Sequence, residues 1–493
     1  MADLILAIDQ GTTSTRVMIL DKKLSVRGQA QSEFPQYYPK PGWVEHNPEE
    51  IWQSVVKCIK TAIARAKIRT KDIACIGITN QRETTVIWDR ETGAPLANAI
   101  VWQCRRTTEI CQRLRKQGYE AMFVNKTGLV LDPYFSGTKV KWLMDNTPGL
   151  KAKAQAGRLA FGTMDSFLVY RLTGGRSHVT DVSNASRTLL MDIRAVKWDS
   201  ELSEILDCPR EMLPEIRSSA EPIGVTSGMK IIPDGIPITG IAGDQQAALF
   251  GQACFERGTA KCTYGTGSFL LMNTGDIPVF SQKKLITTIA WKLGRADVNY
   301  ALEGSAFVAG AAVQWLRDGL KVIKESKDIE TLALQCEDSG EVVFVPALQG
   351  LGAPHWRPEA RGVFGGLTRS TTLPQMARAV LEGIALQQLD LVKAMEEDTG
   401  LKLRVLKVDG GASQNDILMQ FQADVLGVKL VRPKMIDTTV IGAALLAGVG
   451  VGIWRGVDDI KRVWVTDRDF KPAMSDGKVR EYVSRWEKAI ARA

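Results

Sequence analysis

An α/β fold of two similar domains facing one cleft is the class this sequence predicts, on three observations. Strand and helix signals alternate along the whole chain. A unit of strand, glycine–hydroxyl turn and strand at residues 4–20 has a weaker echo at residues 261–272. A third apolar strand, residues 405–409, ends in Gly410-Gly411 just ahead of a helix-spaced apolar pattern.

Leu4-Ile5-Leu6-Ala7-Ile8 is a continuous apolar run, the pattern of a strand buried on both faces, and Val17-Met18-Ile19-Leu20 supplies its partner. The segment between them, Asp9-Gln10-Gly11-Thr12-Thr13-Ser14-Thr15-Arg16, is polar and longer than the usual hairpin loop of about two to five residues. Such a turn either satisfies itself through Asx and hydroxyl hydrogen bonds or surrounds phosphate oxygens. In the second case the donors are the amides around Gly11, the hydroxyls of Thr12 and Thr13 and the Arg16 cation, with Asp9 facing hydrated magnesium.

Asn47-Pro48 reads as an N-cap and first-turn proline, and Ile51, Trp52, Val55, Val56, Ile59 and Ile63 follow at helical spacing. Residues 73–79 form a buried strand, and Thr84-Thr85-Val86-Ile87-Trp88 returns as another. Arg82-Glu83 between them is either a solvated pair or a polyol reader, since Glu accepts and Arg donates hydrogen bonds to vicinal hydroxyls. Trp102 and Tyr134 are core aromatics or the apolar wall against a short carbon chain.

Residues 238–250 read as a strand turning at glycine into a helix, with Asp244 at the junction. There it is either the helix N-cap or a carboxylate aimed into the cleft to accept a proton. The domain boundary falls near Phe255-Glu256-Arg257-Gly258, giving domains 1–253 and 254–493. Beyond it, Lys261-Cys262-Thr263-Tyr264-Gly265-Thr266-Gly267-Ser268 leads into Phe269-Leu270-Leu271-Met272 as the second hairpin. After residue 409, Ser413 with Asp416 fits a capping-box start, and Gly410-Gly411 either leave room for a nucleotide near the backbone or serve strand-to-helix packing alone. Residues 440–454 are shorter than the roughly 20 a membrane span requires and carry four glycines, which fits a tightly packed helix.

Composition excludes several classes. The 493 residues carry a formal charge of +8, but no basic run with interleaved aromatics, so nucleic acid is not an expected partner. Eight cysteines without a CxxC pair read as thiols in a reducing cytoplasm. Three isolated histidines argue against a histidine metal centre. Met1-Ala2-Asp3 opens no signal-peptide pattern. There is no GxxxxGK[ST] loop, no dinucleotide GxGxxG after a strand, and no protein-kinase signature.

In order, residues 9–16, 80–85, 101–106 (Val-Trp-Gln-Cys-Arg-Arg), 134–139 (Tyr-Phe-Ser-Gly-Thr-Lys), 243–246, 264–267, 352–356 (Gly-Ala-Pro-His-Trp) and 409–412 resemble the FGGY carbohydrate kinases across nearly the whole chain. The resemblance implies two ribonuclease H-like domains of the actin and hexokinase superfamily, clamping ATP and Mg2+ between them. The Gln81–Thr85 and Trp102–Arg106 segments are similar to those of members that phosphorylate glycerol rather than pentuloses or gluconate. Carried over by position, Arg82, Glu83, Trp102, Tyr134, Asp244, Gln245 and Phe269 contact glycerol. Thr12, Thr13, Ser14, Arg16, Thr266, Gly310, Gln314, Gly411 and Asn415 contact the nucleotide. Asp9 and Asp244 lie beside magnesium, and Asp244 is the general base. A cytoplasmic homo-oligomer, dimer or tetramer, without membrane insertion is implied as well.

In bacterial members a basic glycine-rich loop before the catalytic Asp binds an inhibitory sugar bisphosphate. Here the stretch is Lys230-Ile231-Ile232-Pro233-Asp234-Gly235-Ile236-Pro237, in which that loop's arginine is missing and an acid is nearby, so weak or no inhibition by fructose 1,6-bisphosphate is expected. Two other readings share the phosphate turns: a family kinase for a longer polyol or ketose, and a non-catalytic actin-like nucleotide-driven assembly protein.

Overall fold

The computed structural model describes residues 3–357 and 359–493; Met1 and Ala2, on which the leader reading partly rests, lie outside the described residues. Two sheets organise the chain. The first contains β1 (Leu4–Gln10), β2 (Ser14–Leu20), β3 (Val26–Glu33), β4 (Ile73–Asn80), β5 (Ala220–Val225) and β6 (Pro237–Gly243) in the order β5-β6-β4-β1-β2-β3. The second contains β7 (Thr259–Tyr264), β8 (Ser268–Gly275), β9 (Ile286–Trp291), β10 (Asn299–Ala306), β11 (Val405–Asp409), β12 (Leu430–Pro433) and β13 (Thr466–Phe470) in the order β9-β10-β8-β7-β11-β12-β13.

Both sheets share one plan. β1, β2 and β3 run antiparallel with β4 and β6 parallel to β1. Likewise β7, β8 and β10 run antiparallel, with β11 and then β12 parallel to β7. The hairpin echo in the sequence is therefore a repeat of topology.

β1 is apolar throughout because both of its faces are covered. Leu4, Leu6 and Ile8 join the cluster under α1 (Pro48–Ala66), whereas Ile5 and Ala7 join the cluster on the opposite face. Asn47 caps α1 through its side chain, which accepts from the Glu49 amide at 2.9 Å. The opposite face is covered by α4 (Asp244–Gly251) and by α7 (Thr438–Val451); α2 (Ser136–Asn146) and α3 (Met164–Leu172) precede them, and α5 (Leu373–Thr399) and α6 (Asp416–Leu426) cover the second sheet.

α7 comes late in the chain yet packs against the first sheet, while Leu271 and Ala301 of the second sheet reach the same cluster. α4 and α7 thus form a layer shared by both lobes. Small residues permit the contact: a Cβ on Gly442 would lie 1.8 Å from the Ala247 carbonyl oxygen, and one on Gly77 would lie 2.2 Å from that of Ala443. Among the described residues no helix is long and apolar enough to cross a membrane, and residues 440–451 lie in the buried α7.

Three local expectations change. The β1–β2 turn is only Gly11–Thr13, because the ladder resumes at Ser14: Gly11 N–H donates to the Ser14 carbonyl at 2.9 Å and Gln10 pairs with Thr15. The strand expected from Thr84 begins at Val86, since Thr84 N–H closes a turn onto the Arg82 carbonyl at 2.7 Å. The Ser413/Asp416 capping box is absent. Gly411–Gln414 form a 3-10 turn, Ser413 Oγ donates back to the Gly410 carbonyl, and Asn415 caps α6 by accepting from Leu418 N–H at 2.9 Å.

Candidate active site

Parallel strands expose their ends along one edge, and loops leaving adjacent ends converge there. Asp9 near the end of β1, Arg82-Glu83 after β4 and Asp244 after β6 leave three neighbouring parallel strands of the first sheet. Gly265–Gly267 after β7 and Gly410-Gly411 after β11 leave two adjacent strands of the second. Both edges flank the helix pair α4/α7.

Arg82 and Glu83 are not a solvated pair. Their side chains are 2% and 1% exposed, and Glu83 holds a left-handed φ of 60°. A non-glycine residue stays in that region only when its surroundings fix it. Here the Glu83 carbonyl accepts from Ser136 Oγ at 3.0 Å, Thr85 Oγ1 at 3.1 Å and the buried Lys139 Nζ at 3.2 Å. Lys139 on α2 also donates to the Tyr134 carbonyl, and burial pulls its pKa down to about 7.

The Arg82 guanidinium is fully engaged. Nε lies 3.1 Å from Asp244 Oδ1, Nη1 donates to Glu303 Oε2 and to Gln246 Oε1 at 3.3 Å, and Nη2 donates to Glu303 Oε1 at 3.1 Å and Tyr134 Oη at 3.2 Å. A hydroxyl recognised by Arg82 must therefore exchange with one of these acceptors. Asp244 and Tyr134 are the two that the sequence already places against a polyol.

Asp244 is not the N-cap of α4: Gly243 holds that position, and besides facing Arg82 Nε the Asp244 side chain accepts from the adjacent Gln245 amide at 2.7 Å, which is not a cap bond. It is 28% exposed, the open side of an otherwise buried cluster. Burial raises its pKa, against the lowering effect of Arg82 and of Lys261. Lys261, fully buried on β7, donates to Gln245 Oε1 and, at 2.9 Å, to Thr263 Oγ1. Asp9 is pushed up to about 7 by burial and by the Asp244 charge. Two acids facing one another in this way fit a divalent cation.

The Trp102–Tyr134 pair is joined to the β1–β2 turn. Trp102 and Tyr134 meet edge-on with centroids 5.6 Å apart, and Trp102 Nε1 donates to Thr12 Oγ1 at 2.9 Å. Thr13 in the same turn is exposed. Ser14 and Arg16 instead sit in β2 on one face, where Gln31 of β3 contacts both: Nε2 donates to Ser14 Oγ and Oε1 accepts from Arg16 Nη2, each at 2.9 Å. Arg16 also pairs with Asp437 at the start of α7, so its charge already has a protein partner.

On the second sheet, the Gly310–Gln314 helix rests on the hairpin turn: Gly310 N–H donates to the Gly265 carbonyl at 3.0 Å and Ala311 N–H to that of Thr266 at 3.0 Å. Thr266, Gln314 and Gly411 are exposed beside it, and a Cβ on Gly411 would meet open space. Gly410 serves packing, not ligand approach, because its φ is 83° and a Cβ there would lie 2.5 Å from the Tyr264 carbonyl oxygen. Asn415 is shared between the α6 cap and this surface. Phe269 on β8, half-buried, pairs with Ser305 two residues from Glu303, so both strands present one face to the first lobe.

Sequence reasoning missed Glu303, Arg187, Lys139 and Lys261. Glu303, Arg187 and Lys261 are single charges inside apolar or small-residue segments, a pattern that marks a buried ion, whereas Lys139 has Lys141 two residues on; nothing local names any of their partners.

A chain with this paired topology and a charged cleft between the sheets belongs to the FGGY family of carbohydrate kinases: the N-terminal domain model of that family matches residues 4–251 and the C-terminal domain model residues 260–451. More particularly, it is 60% identical to a glycerol kinase of Myxococcus xanthus over 100% of this chain and 99% of that protein. It is 54% identical to a glycerol kinase of Bdellovibrio bacteriovorus over 100% and 99%. The crystal structure of Plasmodium falciparum glycerol kinase with ADP superposes with a TM-score of 0.94 at 41% identity, covering 99% of this chain and 98% of that one.

Proposed function

We propose that this chain transfers the γ-phosphoryl group of ATP to a terminal hydroxyl of glycerol, giving sn-glycerol 3-phosphate and ADP, the step that opens glycerol catabolism. The observation that carries the reading is the buried Arg82-Glu83 pair beside a partly open Asp244, walled by Trp102 and Tyr134. The full-length likeness to glycerol kinases supports the substrate.

In this reading Arg82 and Glu83 orient the hydroxyls, the aromatic pair covers the carbon chain, and Asp244 accepts the proton of the attacking hydroxyl. Gln245 and Phe269 complete the glycerol pocket. Residues 1–253 carry the glycerol and phosphate site and residues 254–493 the nucleotide site. Thr12, Thr13, Ser14 and Arg16 from one lobe and Thr266, Gly310, Gln314, Gly411 and Asn415 from the other address ATP. Phosphoryl transfer demands positioning and charge stabilisation more than covalent chemistry, which suits a cleft lined by hydroxyls, amides and cations.

Asp9 and Asp244 would hold Mg2+, which when bound supplies neutralisation of phosphate charge. Among the described residues no group of three or more potential protein ligands exists, and magnesium commonly keeps waters and substrate phosphate oxygens alongside one or two carboxylates, as it would here. We place the enzyme in the cytoplasm as a homo-oligomer.

The test is a coupled ADP-release assay with Mg2+ and ATP, comparing kcat/KM across glycerol, dihydroxyacetone, erythritol and xylulose. Glycerol should lead the panel. Preference for xylulose or erythritol would move the enzyme to a sister specificity, and ATP binding without turnover of any polyol would favour the assembly-protein reading.

A further inference from the structure

Glu303 sits on β10, between the edge strand β9 and β8 of the second sheet, opposite Leu271 of β8 and Ile286 of β9. Its side chain is 1% exposed. A carboxylate buried among strands costs far more than it returns unless cations satisfy it. Two do, and both come from the first lobe. Glu303 Oε1 and Oε2 accept from the two terminal nitrogens of Arg82, and Oε1 also accepts from Arg187 Nη2 at 3.0 Å. Those cations hold its pKa down at about 2 against the opposing effect of burial.

Arg187 carries the arrangement one residue further. It is fully buried, lies over the rings of Tyr134 and Phe135, and places Nε 2.6 Å from Glu83 Oε1. One carboxylate of the second lobe therefore grips both guanidinium groups that flank Glu83. An arginine side chain has several rotamers, and a planar fork is fixed when a carboxylate takes both ends. With its terminal nitrogens held by Glu303, and Nη1 also by Gln246, Arg82 turns Nε to Asp244 and its outer Nη2 proton to Tyr134, the cleft side of the pocket.

We propose that Glu303 is a positioning residue for polyol recognition, through which the second lobe sets the orientation of the Arg82–Glu83 pair carried by the first. The proposal rests on the glycerol reading of that pair. Glu303 itself has no part in the nucleotide surface, so its effect should fall on one substrate alone.

The experiment compares Glu303→Gln and Glu303→Asp with wild type, measuring KM for glycerol and for ATP separately, with thermal unfolding as a control. Glu303→Gln keeps the shape but removes the charge and turns one acceptor into a donor facing guanidinium N–H groups. We expect its glycerol KM to rise about tenfold or more with the ATP KM within about twofold. Glu303→Asp, charged but one methylene shorter, should recover most of that loss. An unchanged glycerol KM in Glu303→Gln, an equal rise in both KM values, or an Asp variant no better than Gln would overturn the proposal. If Glu303→Gln fails to fold, Glu303→Asp decides: a rise of about two- to threefold confined to glycerol supports the role, and an unchanged glycerol KM ends it. A wild-type enzyme inactive on glycerol would remove the functional reading itself and this proposal with it, whereas an active wild type isolates the fate of Glu303.

Discussion

Replacing Asp244 by Asn tests the proposed chemistry most directly, because the change preserves shape while removing the carboxylate proposed to accept the proton. The Asn amide oxygen can still face Arg82 Nε, which lies 3.1 Å from Asp244 Oδ1, so the guanidinium keeps its neighbour. Glycerol affinity should then fall little, by the difference between a charge-assisted and a neutral hydrogen bond, about 1 kcal/mol. Turnover should fall about a hundred- to ten-thousand-fold, or about 2.7 to 5.4 kcal/mol in the barrier, the usual contribution of a positioned general base. Stability should not suffer from loss of the charge. Burial raises the Asp244 pKa above its ordinary value despite Arg82 and Lys261, so folding disfavours the carboxylate at neutral pH, and the amide relieves that cost. The assays are steady-state ADP release for kcat, calorimetry for the glycerol Kd, and a thermal melt. A kcat within about threefold of wild type, with Tm unchanged, would refute the assignment of Asp244 as base.

Arg82→Ala should weaken glycerol binding by about 1.5 to 3 kcal/mol through loss of a charge-assisted donor, and should also cost about 3 to 5 kcal/mol of stability because buried Glu303 is left to Arg187 alone; an unaltered KM and Tm would contradict both. Gly442→Ala drives a methyl toward the Ala247 carbonyl between α7 and α4, and a loss of at least about 1 to 3 kcal/mol in chemical denaturation is expected, with an unchanged midpoint as the opposing result. His46 is a neutral ring, its Nε2–H 2.7 Å from Gln36 Oε1 and its Nδ1 accepting from Gln81 Nε2, and burial lowers its pKa from 6.5 to about 4. The unfolded chain then binds a proton below pH 6.5 that the native state refuses, so stability present above that pH is lost as pH falls toward 4, by about 2 kcal/mol at pH 5. Urea unfolding of wild type and His46→Gln at pH 7.5 and 5.0 should show a smaller pH effect in the variant; equal effects would discard the argument. The β5–β6 connection carries Asp234, which accepts from the Gly228 amide at 2.8 Å, in place of a phosphate-binding cation, so fructose 1,6-bisphosphate at physiological salt should leave the rate unchanged; potent inhibition would reverse that expectation.

By itself the sequence determined the strands and the turns that end them. β1 and β2 are apolar runs because both faces of the sheet are covered, and the hairpin at residues 259–275 repeats the one at residues 4–20 because each opens the same topology. That Asp9, Thr12, Arg82, Glu83, Asp244, Thr266 and Gly411 stand at or just beyond strand ends was legible because contiguous polar segments there follow apolar ones. Tertiary structure alone decided who meets whom. Arg82 and Glu303 lie 221 residues apart in the chain, and nothing near Glu303 except its apolar surroundings marks it as an ion awaiting a partner. Only folding gives Arg16 to Asp437 and lays α7 across the first sheet, because such contacts follow from how two sheets share one helical layer, and periodicity along a single segment carries no record of that.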